Sequence, residues 1–249
     1  AGQCCEHLGN IKKALEYYDR GLKENPDYIK LYLAKGGMLL RQKDYDQAAE
    51  VFQAGMDHTS GEDNGFADKI CVTWLLAGDR KKARIWWKRM IAQDSPERRF
   101  LGELRAGQFE LYNERKPGKA RKQFERAVYT ASVCDDPALL CTGKYFLACA
   151  WYMSGSKTMA ARYFCEGKKL IEQTWPQILK KKLTGLPGGI WRLWRRSCLW
   201  LDHCRGEEGA VSGKTTEERL GKLSYGEEGL KAFFREDFLE ASRIDRKST

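Results

Sequence analysis

The residue types that could do chemistry are few and poorly grouped. His7, His58 and His203 are the only imidazoles, and none stands beside a nucleophile motif or a carboxylate pattern suited to general acid and base work. Cys4, Cys5 and His7 at one end, and Cys198, Asp202, His203 and Cys204 at the other, bring together metal-ligating types, but neither cluster has the spacing of a zinc site. Ser212-Gly213-Lys214-Thr215 matches the end of a phosphate-binding loop, whose earlier glycine would fall where Glu208 stands. It reads better as a linker into the capping box Thr215-Thr216-Glu217-Glu218. The expectation is a chain that is not an enzyme and carries no metal or cofactor.

The composition, 42% hydrophobic and 31% charged over 249 residues, is that of a folded chain able to bury a core. Uncharged stretches such as Tyr145 to Ser156 are too short for a membrane-spanning helix. Nine scattered cysteines without a C-x-x-C pair, several inside apolar runs such as Phe146 to Trp151, read as reduced core thiols and point to the cytoplasm. The net charge of +10 is concentrated most one-sidedly between Pro176 and Arg205, where Asp202 is the only acid among seven basic residues.

A repeat organises the chain. Gly9-Asn10-Ile11-Lys12-Lys13-Ala14, with Tyr18 and Gly21, returns as Lys43-Asp44-Tyr45-Asp46-Gln47-Ala48, with Phe52 and Gly55, at an offset of 34. The frame recurs at Ala83 with Trp87 and Met90, at Ala120 with Phe124 and Ala127, and at Ala160 with Phe164 and Gly167, the alanines stepping by 34, 35, 37 and 40. A small residue, an aromatic four on and a small residue or methionine three beyond form one buried stripe of a helix. Each of the later four such helices follows another apolar segment: Ile29 to Arg41, Phe66 to Ala77, Phe100 to Asn113 and Ala138 to Ser154. Ser95-Pro96 and Asp136-Pro137 place a capping side chain before a proline suited to a first helical turn, and Pro26 separates the first two hairpins.

These residues resemble the tetratricopeptide repeat family. The match is strongest at Ala14, Tyr18, Gly21 and Pro26, and at Tyr32, Gly36, Ala48, Phe52 and Gly55. It loosens later, where the first-helix glycine is replaced by Cys71, Gln108 or Ala148. The resemblance implies an all-α, right-handed superhelical solenoid of helix-turn-helix repeats whose concave groove, lined by first helices, binds a protein or peptide segment. In the family register the groove positions are Lys30, Leu33, Gly37, Arg41, Asp68, Val72, Leu75, Tyr145, Cys149 and Tyr152. The lysine and asparagine clamp by which some members hold chaperone termini is missing, since Gln3, Leu33, Ala34 and Gly37 occupy its places. The first helix of the first unit lacks its beginning, so the chain is expected to be a fragment.

Three segments follow from this reading: a repeat array over 1–172, a basic, tryptophan-rich segment over 173–205, and a charged tail over 206–249. Ile190, Leu193, Trp194, Ser197 and Leu201 fall on one helical face, expected to close the end of the array as a C-terminal capping helix. Lying on an anionic membrane surface is the alternative for residues 190–201. Leu230, Phe233, Phe234, Phe238 and Ala241 form a further apolar face in the tail. The runner-up function, RNA binding, rests on Arg84 and Arg121 among the basic runs of two second helices, which look like half-a-tetratricopeptide repeats of RNA-processing proteins. That reading is weaker because the tryptophan, tyrosine and glutamate of such repeats are not in place on the first helices.

Overall fold

The computed structural model describes residues 2–59 and 65–175, together with Ser197. Regular structure among them is helical: α1 (Gly2–His7), α2 (Ile11–Glu24), α3 (Ile29–Arg41), α4 (Tyr45–His58), α5 (Phe66–Ala77), α6 (Arg80–Ile91), α7 (Pro96–Gln108), α8 (Pro117–Val133), α9 (Pro137–Met153) and α10 (Lys157–Thr174). A π-helical turn, Phe109–Asn113, continues α7. The chain divides into two compact units, residues 1–90 and 91–249.

The helices pair in sequence order as hairpins, and one turn recurs. The residue five before each core alanine has positive φ: Gly9, Lys43, Gly78, Arg115 and Gly155. Three of the five are glycine, the residue that enters the left-handed region without a Cβ penalty. The next residue begins the second helix, and in three hairpins its side chain caps it. Asn10 accepts from the Lys13 N–H, Asp44 from that of Gln47 and Asp79 from that of Lys82. First helices are capped where the sequence puts Ser95-Pro96 and Asp136-Pro137, with Ser95 accepting from the Arg98 N–H and Asp136 from those of Ala138 and Leu139.

The expected stripe is the core. Ala14, Ala48, Ala83, Ala120 and Ala160 are fully buried, as are Phe124 and Phe164, with Tyr18, Phe52 and Trp87 nearly so. In the N-terminal unit Phe66 of α5 enters between Phe52 and Tyr32, with ring centroids 6.4 and 6.3 Å away, above the bare backbone of Gly55. In the C-terminal unit Tyr145 meets Phe146 and Phe164 edge-on at 5.4 and 5.6 Å. Burying each such ring is worth about 1.5–3 kcal/mol, so each contributes substantially to the cohesion of its hairpin.

The fourth hairpin corrects the sequence frame. Gln108 does not take the glycine place; Gly107 does. A Cβ there would stand 2.4 Å from Phe124 Cε1, just as one on Gly36 would stand 2.3 Å from Phe52 Cε1. Gly36 precedes its alanine by 12 residues and Gly107 precedes Ala120 by 13. The extra residue is taken up by the π turn, where the Glu114 N–H reaches back to the Phe109 carbonyl at 3.1 Å. Gln108, one position on, is buried and accepts a hydrogen bond from Arg105 Nη1 at 2.8 Å.

The expected closing helix, the membrane-surface segment 190–201 and the tail lie outside the described residues, apart from Ser197, which is helical and buried.

Candidate partner-binding face of the first helices

In the N-terminal unit the face begins with α3. Lys30, Leu33, Gly37 and Arg41 are spaced by three, four and four residues, which returns each to nearly the same angle. Exposure falls along this stripe: Lys30 is exposed, Leu33 half-buried and Gly37 buried. Arg41 is half-buried and its guanidinium pairs with the Glu6 carboxylate of α1, which also accepts a hydrogen bond from the Tyr18 hydroxyl at 2.9 Å. The sequence reading missed Glu6. The signal that could have found it is an opposite charge 35 residues before Arg41, one repeat away.

On α5, Asp68 is half-buried, whereas Val72 and Leu75 are each only 3% exposed and belong to the core. Tyr145 and Cys149 of α9, in the C-terminal unit, are also buried, and Tyr152 is half-buried. In the N-terminal unit, then, Lys30 is exposed and Leu33 and Asp68 are half-exposed, and in the C-terminal unit Tyr152 is half-exposed. A cation, an apolar side chain and a carboxylate can read a short polypeptide by mixed contacts.

The C-terminal unit holds three groups whose protonation its packing shifts. Glu103 of α7 is buried against the Thr130 hydroxyl at 2.8 Å, and burial raises its pKa above the usual carboxylate range against the pull of that bond and of Arg126 and Arg99. Burial likewise pushes the Cys141 thiol up to about 12. Glu166 goes the other way: burial works against its charge, but hydrogen bonds from Lys144 at 2.6 Å and Arg162 at 3.0 Å hold its pKa below the ordinary value. Among the described residues no three His, Cys, Asp or Glu side chains are grouped to hold a metal ion, and no helix is long and apolar enough to cross a membrane.

The profile of the tetratricopeptide repeat matches residues 1–28, and the packing frame of that segment, Gly2 against Tyr18, recurs as Gly36 against Phe52 and Gly107 against Phe124. The first 28 residues are thus similar to a tetratricopeptide repeat. Of the solved structures similar to the chain, the apo form of RapI is 12% identical with a TM-score of 0.52, the match covering 93% of this chain and 70% of that one. That likeness supports the helical-repeat fold. MamA, at 16% identity and a TM-score of 0.48, is matched over 75% of this chain and 94% of its own. YrrB, described as a TPR protein with an unusual peptide-binding site, is 16% identical with a TM-score of 0.40, over 73% of this chain and 89% of that one. No curated protein sequence matches the chain. Repeats of this family build protein-interaction modules.

Proposed function

We propose that the chain is a non-catalytic scaffold that binds a polypeptide segment on the first-helix face of its N-terminal unit, made by α3 and α5. The observation that carries this reading is the α3 stripe, where Lys30 and Leu33 are left open while Arg41 is anchored by Glu6 of the preceding hairpin. That anchoring fixes the angle of α3, so the open side chains are presented without much further loss of freedom on binding. Lys30 and Asp68 supply charges of both signs and Leu33 an apolar anchor, a mixture suited to a short segment rather than to a polyanion.

The test is photo-crosslinking in the full chain, with the reactive group at position 33 on α3 or at position 85 on the outer side of α6. A polypeptide captured from position 33, lost on Lys30→Glu and Asp68→Lys with helicity unchanged by circular dichroism, would support the proposal. Equal capture from both positions would sink it, as would RNA as the crosslinked species at position 33.

A further inference from the structure

The outer face of α8 carries a pattern that its repeat does not use. Ala120, Phe124, Ala127 and Ala131 point into the core and are fully buried. On the other side Lys119, Lys122, Arg126, Tyr129 and Val133 follow one another by three, four, three and four residues, which is the spacing of a seam that receives another helix. All five are exposed, and the two apolar members, 72% and 64% exposed, stand side by side one helical turn apart rather than singly. The stripe spans about 21 Å at 1.5 Å per residue. Its first three positions are cations and its last two are apolar. The adjacent acid, Glu125, lies on the flank and is engaged by Arg121 at 3.8 Å, while the charge of Arg126 also bears on buried Glu103.

We infer that this stripe docks an amphipathic helix from a protein partner, its acidic half set against Lys119, Lys122 and Arg126 and its apolar half against Tyr129 and Val133. Charge complementarity names the acidic half, since the stripe contains no acid of its own. The apolar pair names the other half and separates the occupant from nucleic acid, whose phosphates would gain nothing from Val133. The spacing requires a helix, because an extended strand alternates every two residues and would meet only part of the row. This surface is independent of the first-helix face.

The test uses the full chain and a fluorescent synthetic helical peptide carrying leucines on one half of its seam and glutamates on the other, beside a peptide of the same composition with the seam scrambled. The patterned peptide should bind and the scrambled one should bind about tenfold more weakly, a difference of about 1.4 kcal/mol. Tyr129→Ser with Val133→Ser should cost about tenfold or more. Lys119→Gln, Lys122→Gln and Arg126→Gln together should weaken binding and remove most of its salt dependence. Ile85→Ser, on the exposed side of α6, should leave it unchanged. Because Lys119, Lys122, Arg126, Tyr129 and Val133 are exposed, helicity should persist in the α8 variants. The inference is overturned by equal binding of both peptides, by no binding, by tighter binding of an RNA oligonucleotide to the same cations, or by self-association that the Tyr129 and Val133 changes abolish.

Discussion

Substituting Gly36 by alanine adds a single methyl group, and the structure says where it would go. Its Cβ would lie 2.3, 2.5 and 2.8 Å from three ring carbons of Phe52. The ring is 1% exposed, with fully buried Phe66 beside it, so it has little room to retreat. Overpacking of a core costs about 1–3 kcal/mol, and an overlap this deep belongs at the upper end. Alanine recovers about 1 kcal/mol of helix propensity over glycine. The net is a loss of about 2 kcal/mol, or a Tm lower by about 4–8 °C in a chain of this size. Gly118→Ala is the matched control: nothing lies within 4 Å of its Cβ, so it should gain about 0.5–1 kcal/mol. Thermal and urea denaturation followed by circular dichroism reads both, and Phe52→Leu in the Gly36→Ala background should recover part of the loss. A Gly36→Ala midpoint raised alongside that of Gly118→Ala would refute the packing argument.

Three further outcomes follow from partners that sequence spacing alone does not display. Because the pKa of Glu103 is raised in the fold, its protonated form favours folding below the ordinary value of 4.5, and that contribution is lost as pH rises through the raised pKa. Glu103→Gln should therefore be the more stable protein in urea at neutral pH, the gap closing toward pH 4, and a gap that widens on acidification would show the sign to be wrong. Lys82→Ala should cost about 1 kcal/mol, because Lys82 Nζ lies 3.8 Å from the Trp74 ring centroid and 3.2 Å from Asp46; an unchanged denaturation midpoint would count against both contacts. Brief iodoacetamide treatment at pH 8 should label exposed Cys4 and leave Cys141, buried and pushed up to about 12, unmodified by mass spectrometry of the native protein.

The limits of α3 and α5 coincide with the apolar runs Ile29 to Arg41 and Phe66 to Ala77 because their ends are written locally, in the turn at Lys43-Asp44 and in the left-handed Gly65 and Gly78. The frame of the fourth hairpin was not legible in this way. A one-residue insertion leaves the aromatic and alanine spacing of each helix intact and shows itself only in the offset between Gly107 and Ala120, which a fixed-period comparison assigns to Gln108 instead. Exposure along the expected groove positions was not legible, since Val72, Leu75 and Tyr145 carry no mark in the sequence that separates them from the open Lys30, and they are covered.

The partners that were missed have a common origin. Glu6 and Arg41 stand 35 residues apart on consecutive first helices, and Asp46 and Lys82 stand 36 apart on consecutive second helices. Stacking brings like helices of adjacent hairpins side by side, so a charge on one meets the residue about one period away rather than three or four away on its own helix. An array of this kind therefore has two spacings at which opposite charges form pairs, the helical one and the repeat one. A basic run such as Arg80 to Arg89 looks like an unpaired cationic surface when only the first spacing is searched. Searching the second removes Lys82 from that surface, which is why the case for a polyanion partner on α6 weakens once the hairpins are stacked.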